Sequence, residues 1–318
     1  MSETVLIVGS FHPSVANQLG ATHRIVKAAD PGAFNAMSDD ELADITVYVS
    51  MGWAPADVID RMPKLKFISS FGVGYDGVAA EHAAAKGIMV GHTPDVLNDE
   101  VANTVIALIL ATDRRIVAYD KYVRAGRWVS EGNAPLTRSI AGKLVGIVGL
   151  GRIGERVAEK LAVFNCDVAY HSRNKKPDAP YTYYGDLLEL AQAADILVVI
   201  TPGGPATNKL VSKQIIHALG PDGTLVNVSR GSVVDETALV EALQSGKLGG
   251  AGLDVFEDEP NVPEALFAMD HVVLAPHVGS ATIETRQAMA DRVVENVEAF
   301  FADGKPVNLV PECNGLIG

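Results

Sequence analysis

Residues 149–154 read GLGRIG, and their surroundings leave few folds open. The run LVGIV (144–148) precedes them as a strand. The run ERVAEKLAVF follows with Val157, Leu161 and Phe164 at helical spacing, and CDVAY (166–170) reads as the next strand. Strand, glycine turn, helix and strand make a βαβ unit, whose helix N-terminus offers free N–H groups and a positive dipole end to a pyrophosphate. Gly149, Gly151 and Gly154 are therefore candidate dinucleotide ligands, with Leu150, Arg152 and Ile153 between them.

A second stretch, FGVGYDG (71–77), has the same glycine spacing at Gly72, Gly74 and Gly77. The helix after it can run only from about Val78 to Lys86 before Gly87 stops it. His92, not an acid, lies about twenty residues past its first glycine. Tyr75 and Asp76 are awkward where backbone must approach phosphate. Two readings stay open: a turn offering backbone N–H groups to a smaller anion, or a plain strand-to-helix turn.

Short β-branched runs alternate with helical patterns almost throughout, as in parallel α/β sheets. The first series is 4–9, 23–28, 44–50, 66–70 and 87–92. The second is 143–149, 166–172, 195–201, 223–229, 250–256 and 271–276. Between them, 98–126 reads as one long amphipathic helix, capped by Asn98 and stopped by Gly126, that links two domains and offers a dimer surface. A last helix spans about 282–303. The 318 residues suit about two domains. With a net charge of −13 the chain repels phosphate backbones and anionic lipid, so nucleic acid and membranes are poor partners and any anionic ligand needs local positive groups. The two cysteines, Cys166 and Cys313, have neither metal spacing nor a disulfide framework. Together with an N-terminus unlike a signal peptide, they suit a reducing cytoplasm.

An NAD site usually places an acid at the end of the second strand of this unit, on the ribose. Here that strand ends in Tyr170, His171, Ser172, Arg173, Asn174, Lys175 and Lys176, with no carboxylate. Ser172, Arg173 and Lys175 could instead hold a 2′-phosphate, which favours NADPH/NADP over NAD; the alternative is a solvated basic loop.

Three later stretches each place one reactive group just past a strand: Arg230 in NVSRGSVVDE (227–236), Glu259 in LDVFEDEP (253–260) and His277 in LAPHVGS (274–280). Ligands bind outside the carboxyl ends of parallel strands, so the three could converge on one cleft. Singly they read as a surface cation, a loop acid and a capping residue. Ser50, Met51, Gly52 and Trp53 follow the third strand; Trp53 either limits substrate bulk or sits in the core.

With FGVGYDGV, VGIVGLGRIG, NVSRGSVVDE, GAGLDVFEDEP and LAPHVGSAT together, the chain resembles the D-specific 2-hydroxyacid dehydrogenases along almost its whole length. SRNKK, TYYGDLLELA and DVFEDEP are closest to the largely NADPH-using glyoxylate/hydroxypyruvate and hydroxyphenylpyruvate reductase branch. The resemblance implies an α/β chain of two doubly wound parallel-sheet domains: a flavodoxin-like substrate domain (1–98 plus 284–318) and a Rossmann cofactor domain (99–283), with the active site in the cleft between them and a homodimer. It implies that Arg230 binds the carboxylate of a small 2-oxo acid and polarises its ketone. His277, held by Glu259 in its charged form, delivers a proton to the developing alkoxide. Val73 and Gly74 would take the substrate carboxylate opposite Arg230. Asp254 would meet the nicotinamide carboxamide and Thr207 the pyrophosphate region. Thr104, Thr201, Pro202, Val228, Ser229 and Gly279 complete the expected cofactor contacts, beside Arg230 and His277. Glu rather than Gln at 259 argues against formate as substrate. About fifteen residues after the last helix leave no room for the regulatory domain of many phosphoglycerate dehydrogenases, the NAD-dependent relatives. A nucleotide-sensing binding protein, like the corepressors of this family, remains the reading from another class.

Overall fold

The computed structural model describes residues 3–317. The chain divides into two compact units, Met1–Leu97 with Thr282–Gly318, and Asn98–Ala281. The first unit holds strands β1 (Thr4–Val8), β2 (Arg24–Ala28), β3 (Ile45–Ser50), β4 (Phe67–Ser70) and β5 (Met89–Gly91). Its sheet is ordered β2-β1-β3-β4-β5, every pair parallel. This is the flavodoxin-like order. Strands β1 and β3 are buried along their whole length, which is why they read as apolar runs without alternation. The final helix, Ile283–Asp303, packs on this unit: Asn296 donates to the carbonyl of His92 at 2.9 Å, and Phe300 stacks on Phe67.

The second unit holds β6 (Leu144–Val148), β7 (Asp167–His171), β8 (Thr182–Tyr183), β9 (Ile196–Val199), β10 (Thr224–Asn227), β11 (Gly250–Leu253) and β12 (Val272–Leu274). Its parallel order is β12-β11-β10-β9-β6-β7-β8. The chain moves outward from β6 to β8, then returns to β9 and moves the other way. That reversal beside β6 is a Rossmann switch point, where ligands bind at the carboxyl ends of strands. The two-residue β8 escapes sequence reading because TY carries no periodicity of its own.

The single helix expected over 98–126 is broken. It runs Asn98–Asp113, then Ile116–Arg124, with Arg115 between them in the left-handed region at φ 52°. The first part is a core element of the second unit, burying Val101, Val105, Leu108 and Ile109. Strand β11 admits it closely because it is glycine-rich: a Cβ at Gly252 would come 3.0 Å from Leu108 Cβ, and one at Gly250 3.0 Å from Thr112 Cγ2. Among the described residues no helix is long and apolar enough to cross a membrane.

Candidate active site

The glycine turn at the end of β6 divides three tasks among its glycines. Gly149 has φ 101°, and a Cβ there would meet the Ile200 carbonyl oxygen at 2.6 Å, so it makes the tight turn toward the neighbouring Thr201 segment. A Cβ at Gly154 would lie 2.4 Å from the Gly149 carbonyl oxygen, so Gly154 lets the helix Arg152–Val163 seat against the strand end. Gly151 is different: nothing in the protein lies within 4 Å of its would-be Cβ, and both it and Arg152 are exposed. The protein itself therefore does not require glycine at 151. That open space is what the backbone approach of a pyrophosphate to a helix N-terminus would need. The residues present fit a dinucleotide.

At the end of β7, Arg173 and Lys175 are exposed, whereas Lys176 is paired with Glu155 at 2.6 Å. Ser172 donates its hydroxyl to the Asn174 carbonyl at 2.7 Å, which tightens the loop carrying the two cations. In the loop after β9, Thr207 donates to the Pro202 carbonyl at 2.6 Å, and Thr104 donates to the Gly279 carbonyl at 3.2 Å.

The three candidate groups, Arg230, Glu259 and His277, stand past β10, β11 and β12. Past β10, the buried Asn227 shapes the turn: its Oδ1 accepts the Ser229 N–H at 3.1 Å and hydroxyl at 2.8 Å, and its Nδ2 donates to the Arg230 carbonyl at 3.1 Å. Arg230 is half-buried and donates from Nη1 to the Ser229 carbonyl at 2.7 Å. Gly231 packs directly on the next loop; a Cβ there would fall 1.9 Å from the Phe256 carbonyl carbon. Past β11, Glu259 accepts the Phe256 N–H on Oε1 at 3.0 Å and meets His277 Nδ1 with Oε2 at 2.8 Å. A carboxylate oxygen accepts, so the hydrogen of that bond sits on Nδ1, with Nε2 as the other ring nitrogen.

Asp254, at the end of β11, organises the turn that carries His277. Its carbonyl accepts the His277 N–H at 2.8 Å, and its carboxylate accepts those of Val278 at 2.7 Å and Gly279 at 2.8 Å. Three successive amides thus close on one residue, and His277 is held at φ 53°. Asp254 is buried, and burial pushes its carboxyl above the usual range although the two N–H bonds and nearby His277 pull it back. Any contact to a carboxamide would use the lone pairs those amides leave.

Sequence reasoning missed Asn227, although a lone Asn between valines at a strand end is a signal that it serves the turn. Val73 and Gly74 belong to the first unit. There His92 Nδ1 meets the Val73 carbonyl at 3.0 Å, and Gly72 and Thr93 bond reciprocally at 2.9 Å. The third glycine of this turn is fixed by packing: a Cβ at Gly77 would lie 2.2 Å from the Gly52 carbonyl oxygen. The helix beyond it is only Ala80–Ala85. Trp53 packs edge-on against Phe34 in the core, while Met51 at the loop tip is exposed.

A dinucleotide-type turn and an Arg, Glu and His set on one Rossmann sheet define a nucleotide-dependent dehydrogenase-type chain. Comparison with known proteins makes this specific. Residues 106–279 match the model of the D-isomer specific 2-hydroxyacid dehydrogenase NAD-binding domain. The chain is 55% identical over 254 residues to the hydroxyphenylpyruvate reductase of Plectranthus scutellarioides, covering 80% of each chain. It is 51% identical to the glyoxylate/hydroxypyruvate reductase A of Arabidopsis thaliana, over 78% of this chain and 79% of that one. The NADPH-dependent glyoxylate/hydroxypyruvate reductase of Sinorhizobium meliloti, solved with NADP and malonate, superposes with a TM-score of 0.94 at 44% identity over 98% of both chains. The protein belongs to the D-isomer specific 2-hydroxyacid dehydrogenase family.

Proposed function

We propose that the protein is an NADPH-dependent reductase of small 2-oxo acids, among them glyoxylate, hydroxypyruvate and aryl-pyruvates, yielding D-2-hydroxy acids. The observation that carries this reading is the 2.8 Å bond between Glu259 and His277 Nδ1, which leaves Nε2 to exchange a proton, on the sheet that also carries Arg230. The names of its relatives, reductases of these acids, support it.

Bound at the 149–154 turn, the nicotinamide cofactor supplies the hydride. Arg230 binds the substrate carboxylate through its planar guanidinium and polarises the ketone. His277 delivers its Nε2 proton to the oxygen that becomes the alcohol, and in the reverse direction neutral His277 removes it; help of this kind contributes about 10²–10⁴-fold. Glu259 fixes the imidazole orientation. Val73 and Gly74 contribute backbone N–H groups to the substrate carboxylate, which makes 1–98 with 284–318 the substrate domain. Arg173 and Lys175 select the 2′-phosphate.

The protein functions as a homodimer through the segment after Arg115. Ile116, Val123, Trp128, Val129 and Leu136 are all more than half exposed there, a concentration of apolar surface suited to a second copy. Sedimentation of Trp128→Asp and Leu136→Asp should show monomer where the wild type shows dimer.

The test of the reaction is a substrate panel with NADPH and NADH, followed by loss of reduced-nicotinamide absorbance and chiral analysis of the product. Turnover with NADPH to the D-hydroxy acid is expected. Binding of NADPH without turnover of any 2-oxo acid would overturn the reductase reading and favour a nucleotide-sensing protein.

A further inference from the structure

The block NVSRGSVVDE ends on an acid that the catalytic trio leaves unused, Glu236. It opens the helix Glu236–Gln244, yet it does not cap that helix. Asp235 does so, accepting the Ala238 N–H at 3.2 Å. Glu236 instead reaches across to the next loop, where Oε2 accepts the N–H of Glu257 at 3.0 Å. One residue earlier, the Phe256 N–H is held by Glu259 Oε1 at 3.0 Å. Two consecutive amides are therefore held by two carboxylates, and the second oxygen of one of these carboxylates orients His277.

The surroundings make this arrangement specific. Gly231 lies against the Phe256–Glu257 peptide with no room for a Cβ, so the Arg230 turn and the Glu259 loop share one backbone contact. Glu236 is half-buried, and burial pushes its carboxyl up, helped by the charges of Glu257 and Asp258, although the Glu257 N–H it accepts pulls the other way. A solvated acid would avoid two like charges. Its oxygen is the acceptor for the Glu257 amide, next to the Phe256 amide already held by Glu259.

We propose that Glu236 is a positioning residue for the reduction: by holding the Glu257 amide it fixes the 256–259 turn, and through that turn the alignment of Glu259 with His277. The proposal rests on the reading of His277 as the proton donor. It assigns a role to an acid that touches neither the imidazole nor the 149–154 turn.

The test uses the full-length protein with NADPH and the best 2-oxo acid of the panel, and compares Glu236→Ala, Glu236→Gln, Glu259→Ala and the Glu236→Ala/Glu259→Ala double variant. Loss of one hydrogen bond to a charged acceptor should lower kcat about 10-fold in Glu236→Ala while KM moves less than about 2-fold. Glu236→Gln keeps an oxygen for the Glu257 N–H and should recover most of that loss. In the Glu259→Ala background, Glu236→Ala should cost nothing more, because its effect runs through Glu259. Additive losses, an unchanged kcat in Glu236→Ala, or a Gln variant no better than Ala would each overturn the proposal. Amide hydrogen exchange of Glu257 gives a readout independent of turnover: it should accelerate in Glu236→Ala and stay near wild type in Glu236→Gln. If the wild type turns over no 2-oxo acid, the reductase reading fails, and the exchange result alone decides whether Glu236 holds the loop.

Discussion

Asp254 offers a perturbation whose effects on stability and activity can be separated. Replacing it with Asn preserves shape but leaves one acceptor oxygen for two N–H groups, those of Val278 and Gly279, and turns an NH₂ toward the other. A hydrogen bond to a charged group contributes about 1.5–3 kcal/mol. The left-handed backbone of His277, at φ 53°, costs roughly 1–2 kcal/mol for a residue with a Cβ. The lost bond is as large as the strain it opposes, so the 277–279 turn should relax and His277 should swing from its alignment with Glu259. A loss of that size corresponds to about 10–100-fold in kcat. Stability should respond differently. Burial raises the Asp254 carboxyl in the folded state, so the folded protein holds this proton more tightly than the unfolded chain. The associated stabilisation is complete below the unfolded-state carboxyl range and is lost as pH rises through the raised folded value. Asp254→Asn has no such group, so its stability relative to wild type should increase with pH across that window and then level off. Urea unfolding at a series of pH values, paired with steady-state kinetics, measures both. A pH-independent stability difference, or kcat within about 2-fold of wild type, would refute this account.

The glycine turn gives a paired test. Gly151→Ala should fold with wild-type stability and lose cofactor affinity, whereas Gly154→Ala, whose Cβ would lie 2.4 Å from the Gly149 carbonyl oxygen, should lose about 1–3 kcal/mol of stability; chemical unfolding and NADPH titration distinguish them, and equal stability losses would remove the argument that Gly151 answers to a ligand. Arg173→Ala with Lys175→Ala should lower the ratio of kcat/KM for NADPH over NADH by about 10–100-fold, with the NADH value little changed; a wild-type preference for NADH would contradict the assignment.

Much of this fold is legible because buried parallel strands advertise themselves. β6, β9 and β10 are apolar runs ended by the turns that carry the candidate residues, so strand ends could be named before any coordinates. What could not be read was set by contacts distant in sequence. The segment TDRRIV carries no glycine or proline, yet the chain turns at Arg115, just after Leu108 and Thr112 are seated on the glycines of β11, some 140 residues on. The three amides that close on Asp254 are likewise invisible, since DVFEDEP presents four acids and only burial separates Asp254 from the rest.

The two glycine patterns show where spacing stops being informative. In both, the third glycine does the same work: Gly154 admits the Gly149 carbonyl and Gly77 admits that of Gly52, each with a would-be Cβ within 2.4 Å of an oxygen. Close backbone packing alone can therefore produce that glycine, with no ligand involved. The difference lies in what the middle of the pattern serves. At 149–154 the helix begins inside the motif, at Arg152, and runs for 12 residues, so its first turn adjoins the open space over Gly151. At 71–77 the helix begins only at Ala80, outside the motif, and lasts 6 residues. The length of the following helix, visible in the amphipathic pattern of ERVAEKLAVF, carries information that the glycines alone do not, whereas its start at Arg152 lies upstream of that pattern.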